Sequence, residues 1–235
     1  MTPRKPIIAI DGPAGSGKST VAKLVAKKLK LFYIDTGAMY RVLALKARML
    51  GISPGDENKI IELALNCDIR LDYCTTSGQL KVYCDGKDVT EDIREPSIAQ
   101  TVSFIAKIKE VRERMVTLQR QMAEGKKAIL EGRDTTTVVF PDAYKKFYLD
   151  ADPQERTKRR FLEMKEKNIP IDEPAVMKDI AQRDRIDSTR EHSPLRRAHD
   201  AVYIDTTSLS IDEVVDTIIA EINETPRAKA RGFRP

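Results

Sequence analysis

The clearest chemistry in the chain lies in Gly12-Pro13-Ala14-Gly15-Ser16-Gly17-Lys18-Ser19-Thr20, which has the spacing G-x-x-x-x-G-K-S. Glycines let backbone N–H groups wrap a phosphate, because no Cβ blocks the approach. The lysine can reach the β- and γ-phosphates, and the serine hydroxyl can sit on Mg²⁺. A plain glycine-rich turn would have the same composition, but the flanks argue against it. Ile7-Ile8-Ala9-Ile10 reads as a short buried strand, and a helical pattern opens at Lys18. The helix adds the positive end of its dipole to the phosphate site. Residues 12–20 are therefore expected to hold a nucleoside triphosphate, with Lys18 catalytic and Ser19 the metal ligand.

A second signal is the set of arginines at element ends: Arg41, Arg112, Arg133, Arg156, Arg159, Arg160, Arg183, Arg185 and Arg190. Phosphoryl transfer is mainly positioning plus neutralisation of spread negative charge. A phosphate on the acceptor would need its own arginine clamp. If the acceptor is a nucleoside monophosphate, its oxygen is already largely ionised at pH 7, since the second pKa is about 6. No general base is then needed. The two histidines, His192 and His199, sit in a polar region and are expected at the surface. An arginine run can also be a solvated helix face; Glu155 with Arg159 and Glu163 with Lys167 have the i,i+4 spacing of exposed pairs. For Arg156 to Arg160 both readings stay open. Arg133 directly follows a buried strand, which favours a role in binding.

The elements that must position these groups alternate. Val21, Leu24, Val25 and Leu29 recur at helical spacing, and Leu31-Phe32-Tyr33-Ile34 is a second strand. Strand, helix, strand within this span is a βαβ unit, which implies a parallel sheet. A helix follows Asp35-Thr36-Gly37, and a short one runs from about Glu57 to Leu65. From about Cys67 to Val89 apolar and polar residues alternate between turn signals, which predicts a small antiparallel meander. Set inside a βα chain, it reads as an insert covering a ligand, or alternatively as an excursion of the sheet edge. Pro96 to about Glu124 reads as one or two helices. Ala128-Ile129-Leu130 is a buried strand that delivers Glu131-Gly132-Arg133-Asp134 at its carboxyl end, where open α/β sheets bind ligands. Phe147-Tyr148-Leu149 is a further strand. Asp152-Pro153-Gln154-Glu155 predicts a helix start with a capping box; Asn168-Ile169-Pro170 ends that helix, and another runs from near Pro174 to about Asp187. Ala201–Asp205 is the last strand, and Ser210-Ile211-Asp212-Glu213 caps the last helix. The basic tail at 224–235 is expected to be disordered.

Composition fits a soluble globular protein, with 41% hydrophobic and 33% charged residues. No apolar run approaches the ~20 residues a membrane span needs. Met1 to Lys5 lead straight into the first strand with no signal-peptide core, so cytoplasmic residence is expected. The net charge of +5 suits nucleotides or nucleic acid. The three cysteines, Cys67, Cys74 and Cys84, lack C-x-x-C spacing and are expected to be buried free thiols rather than disulfides or a zinc site.

These residues bring the chain to a family. It resembles bacterial cytidylate (CMP) kinase in Ile10-Asp11-Gly12-Pro13 with the phosphate loop, Asp35-Thr36-Gly37-Ala38-Met39-Tyr40-Arg41, Glu131-Gly132-Arg133-Asp134, Thr137-Val138-Val139-Phe140-Pro141-Asp142-Ala143 and Arg183-Asp184, over about residues 6–223. The resemblance implies that Tyr40, Arg41, Arg133 and Arg190 hold the CMP phosphate, with Thr36 where the family often has serine. It implies that Ser103, Arg112 and Asp134 read cytosine, that Arg183 and Asp187 hold the sugar, and that Arg156, Arg159 and Arg160 are lid arginines. The chemistry is consistent: a carboxylate accepts from N4 of cytosine, and an arginine donates to N3 or O2. Uracil would set a carbonyl against Asp134. The chain departs from the family in Thr135-Thr136, where an apolar residue and glycine are usual, and in Ser19, which replaces a common glycine.

The expectation is thus a three-layer α/β phosphate-loop (P-loop) kinase with a parallel five-stranded core sheet. The core spans 6–66, 125–152 and 200–223, the monophosphate-binding region with its antiparallel insert 67–124, and a helical lid 153–190. The expected reaction is ATP + CMP (or dCMP) to ADP + CDP (or dCDP) with Mg²⁺, by a monomer acting on small nucleotides, with no nucleic acid as main substrate and no membrane. The rivals are a UMP or AMP acceptor, a phosphate-loop ATPase acting on nucleic acid, and a nucleotide-regulated binding protein.

Overall fold

In this computed structural model, residues 6–224 are described, apart from residue 168. Asn168 and the basic tail from 225 onward, both subjects of expectations above, lie outside the described residues.

Five parallel strands form the central sheet: β1 (Ile7–Asp11), β2 (Phe32–Asp35), β6 (Ala128–Gly132), β7 (Lys145–Asp150) and β8 (Val202–Asp205), in the order β2-β6-β1-β7-β8. Apolar runs without alternation suit strands covered on both faces. All five residues of β6 are buried. The βαβ unit at the start of the chain is parallel, yet β1 and β2 are not neighbours. β6 lies between them, with Ile10 opposite Glu131 on one side and Asp35 opposite Glu131 on the other.

Helices α1 (Lys18–Leu29) and α8 (Ile211–Asn223) pack together on the sheet. Helices α2 (Thr36–Met49), α3 (Glu57–Asn66), α4 (Pro96–Ile105) and α5 (Lys109–Ala123) pack among themselves. The region after Pro96 is thus two helices. One continuous core joins the sheet to both layers, through Ile10, Tyr33, Met39, Met115, Ile129 and Phe147 among others. Each fully buried Ile or Phe side chain contributes about 1.5–3 kcal/mol.

The expected meander is a separate antiparallel sheet of β3 (Ile69–Tyr73), β4 (Leu80–Cys84) and β5 (Lys87–Asp88). It leans on the β2 side of the core: Tyr73 meets the Tyr33 ring edge-on and donates to the Lys23 carbonyl at 3.2 Å. Cys67 and Cys84 are buried free thiols, whereas Cys74 is exposed, contrary to expectation, because it stands on the turn after β3. Helices α6 (Pro153–Glu166) and α7 (Glu173–Thr189) form a hairpin with its own small core of Met164, Val176 and Ile180.

The local capping signals divide. Ser210 accepts from the Glu213 N–H, and Glu213 accepts from the Ser210 N–H and hydroxyl, a complete capping box. Asp152 caps α6 by accepting from the Gln154 N–H, but Glu155 does not close a box there; it takes Arg159 at 2.9 Å instead. A charged i,i+4 partner outcompetes a backbone amide for that carboxylate. Ser210→Ala is expected to cost about 1 kcal/mol of stability, read as a lowered urea midpoint at unchanged slope.

Candidate active site

The site grows from the carboxyl ends of β1, β2 and β6. β1 delivers Asp11 and then the loop 12–17, which passes so close to β7 that a Cβ on Gly12 would lie 1.9 Å from the Leu149 carbonyl oxygen. Only glycine fits there, and its φ of +152° suits only glycine as well. α1 then opens at Lys18 with no side-chain cap among the described residues. Its first N–H groups are left for a ligand. The Lys18 ammonium donates across the loop to the Pro13 carbonyl at 2.6 Å and the Ser16 hydroxyl at 3.2 Å. Burial, reinforced by Arg133, holds the Lys18 ammonium well below the ordinary lysine pKa.

Beside the loop stands Glu131 at the end of β6. It accepts from the Ser19 hydroxyl at 2.6 Å and from Tyr33 at 3.2 Å. Burial first, then nearby Asp35, lifts its carboxyl above the usual range. The Ser19 hydroxyl and the Glu131 carboxylate beside it are hard oxygens of the kind Mg²⁺ prefers, so this pair fits a magnesium ion.

Across β6 lies a second cleft. Its walls are Thr36, Tyr40, Ser103, Arg112, Arg133, Asp134, Arg183, Asp187 and Arg190, all expected from the sequence, with Val102, Ala106 and Gly132, which were not. α2, α4, α5, β6 and α7 each supply part of it. At about 60 Å³ it has room for about two waters. Ser103 and Arg183 also wall an adjoining cavity of about 350 Å³ between α4 and α7. The lining comes from helices and the β6 end.

The cleft is rich in paired charge. Arg112 donates to Asp134 at 2.5 Å, both almost wholly buried, and its guanidinium lies 5.4 Å from the Tyr40 ring centre. Arg133 donates to Asp187 at 2.8 Å, and Arg190 approaches the same carboxylate at 3.3 Å. Burial would raise the Asp187 carboxyl, but Arg133 and Arg190 outweigh it and hold it low. Burial pushes the Tyr40 phenol up to about 12. The Tyr40 hydroxyl, Arg112 Nε and Arg190 Nη2 are buried without a hydrogen-bond partner among the described residues. Buried donors are ordinarily satisfied. All three belong to residues that line this cleft.

Some expected residues stand elsewhere. Arg41 turns to Asp35 at 2.8 Å and does not line the cleft. Arg156 pairs with Asp184 and donates to the Ala14 carbonyl, which sets it against the phosphate loop. Arg159 is bound to Glu155 and to the carbonyl of Thr206, and Arg160 to Glu163. Arg156 is buried and the other two are half-buried, so this run is no solvated face. His199 is 95% exposed at its side chain, in line with a surface role.

The acids were the blind spot. Asp35 caps α2 and takes Arg41, Asp184 holds the phosphate loop and Arg156, and Asp11 takes Thr135 and Thr136, roles that no local motif announces. For Asp184 a signal existed: it stands three residues before Asp187, so the two acids share one side of α7. Asp184 also accepts from the Ala14 N–H at 3.1 Å.

A family model described as cytidylate kinase matches residues 8–224. A protein named cytidylate kinase from Caldicellulosiruptor bescii is 48% identical over 212 residues, covering 90% of this chain and 93% of its own length. Another so named, from Pelotomaculum thermopropionicum, is 47% identical over 218 residues, covering 93% and 96%. Among solved structures, an uncharacterized protein from Eubacterium ventriosum shares the fold at TM-score 0.52 and 16% identity, covering 94% of this chain and all of its own.

The Arg112–Asp134 pair offers a direct test of buried charge. Arg112→Met is expected to cost about 3–5 kcal/mol by stranding the Asp134 carboxylate. Adding Asp134→Leu should recover most of that loss in equilibrium unfolding.

Proposed function

The chain belongs to the cytidylate kinase family, and from that premise we propose that it transfers the γ-phosphoryl group of ATP to CMP and dCMP. The observation that carries the acceptor is the buried Arg112–Asp134 pair beside Ser103. A carboxylate and a guanidinium side by side match the amino group and ring acceptors of cytosine. Uracil would face the same carboxylate with an oxygen, at the cost of a buried unpaired acceptor.

ATP lies on the loop 12–20, its β- and γ-phosphates on the α1 N-terminus and Lys18. Mg²⁺, accompanying ATP, would be held at Ser19 with Glu131 and would supply further neutralisation of phosphate charge. CMP enters by the cavity between α4 and α7. Its phosphate takes the free donors of Tyr40 and Arg190 together with Arg133, and Thr36 stands beside it. Arg41 joins by exchanging Asp35 for the phosphate. The ribose meets Arg183 and Asp187. Lys18 and Arg133 are electrostatic neighbours, so the two phosphate ends meet between them. The ionised CMP oxygen attacks the γ-phosphorus in line as the bond to ADP breaks. Arg156 stands against the loop, and with Arg159 and Arg160 on α6 it neutralises the charge spread over the transferring group. Closure of the α6–α7 hairpin (lid) excludes water and limits hydrolysis. Among the described residues no helix is long and apolar enough to cross a membrane. The protein acts as a cytoplasmic monomer on free nucleotides.

The deciding experiment is ADP release with ATP, Mg²⁺ and CMP, dCMP, UMP or AMP in turn. Fast release with UMP or AMP and none with CMP would reject the acceptor. Asp134→Ala is expected to lower the CMP-over-UMP ratio of kcat/KM by about 10–100-fold, the worth of one charge-assisted bond. Because Lys18 must be protonated to take ATP, kcat/KM for ATP should fall as pH rises, well below the usual lysine pKa of about 10.4. In Lys18→Arg that alkaline limb should vanish, whatever activity remains.

A further inference from the structure

The turn after Asp134 is capped from another strand. Thr135–Val139 is a π-helical turn, and the first N–H groups of any helical turn lack partners within it. An aspartate at the preceding position ordinarily answers them with its own side chain. Asp134 holds that position and makes no such bond among the described residues; its carboxylate goes to Arg112. Asp11, at the end of β1, supplies the acceptors instead. Its Oδ1 accepts from the Thr135 N–H at 2.9 Å and the Thr135 hydroxyl at 2.8 Å. Its Oδ2 accepts from the Thr136 N–H at 2.7 Å and the Thr136 hydroxyl at 2.6 Å. Asp11 is 0% exposed, and the two hydroxyls double the donors that the backbone alone would give a buried carboxylate.

We infer that Asp11, clasped by Thr135 and Thr136, is a positioning residue for base recognition: by capping the turn it leaves the Asp134 carboxylate free to pair with Arg112 and face the base. The inference rests on the CMP reading above for its kinetic consequence, though not for the geometry. Asp11 also directly precedes Gly12, so one residue fixes both the start of the phosphate loop and the base-reading turn.

The test is Asp11→Asn, which sets an amide N–H₂ against groups that are already donors. Crystals of the variant are expected to show Asp134 turned back onto the N–H groups of 135 and 136, parted from Arg112. KM for CMP should rise and the CMP-over-UMP ratio fall, each about tenfold. Should Asp11→Asn not fold, the Thr135→Val/Thr136→Val double variant, which keeps the volume, undergoes the same measurements. Thr135→Ser/Thr136→Ser should restore wild-type values. An Asp134–Arg112 pair unchanged in the variant crystal, or a lowered Tm with every KM and the CMP-over-UMP ratio intact, overturns the inference. A parted pair with the ratio intact would uphold the clasp and instead count against Asp134 as the base reader.

Discussion

Crowded positive charge in a desolvated cleft is the constraint from which the rest of this structure follows. Arg112, Arg133, Arg156 and Arg190 are all largely buried. Such groups cannot be left unpaired, because the cost of stripping their water far exceeds what packing returns. Carboxylates therefore stand among them: Asp134 on Arg112, Asp187 between Arg133 and Arg190, and Asp184 on Arg156. These acids keep the guanidinium groups oriented before any nucleotide arrives. Catalysis of phosphoryl transfer gains most from charge that is already in place.

The acids differ in what they can give up. Arg41 is half-buried and reaches its buried partner Asp35 from the rim, so it is the most accessible of these paired arginines. The Arg112–Asp134 pair is sealed and stays together, which suits a rigid reader of a planar base. The Tyr40 hydroxyl, Arg112 Nε and Arg190 Nη2 are buried without a hydrogen-bond partner among the described residues.

The sheet explains why these groups meet. Parallel strands end at one edge, and β1, β2 and β6 each end there on an acid: Asp11, Asp35 and, one residue before its end, Glu131. β6 in the middle is flanked on both sides, so Glu131 touches the phosphate loop through Ser19 while Arg133 and Asp134 face the second cleft. One strand thereby serves both clefts.

Much of this was legible in the chain itself. Strand positions, the phosphate loop, the antiparallel meander and the Ser210 cap follow from patterns within a few residues, since local sterics and periodicity write them directly. Arg133 and Asp134 were legible because they directly follow strand β6, whereas Arg159, Arg160 and Arg183 lie inside helices and not at their ends. What no local pattern could supply was partnership. Strand β6 slips between β1 and β2 because parallel pairing is set by which faces bury best, not by chain order. Asp11 finds Thr135 and Thr136, and Glu155 leaves its expected box for Arg159, because a buried carboxylate takes the strongest donors within reach. The sequence by itself determined which chemical groups the protein owns and at which end of each element they stand. The tertiary structure alone decided which acid holds which arginine, since those pairs join residues far apart in the chain and exist only once burial has removed the water that would otherwise separate them.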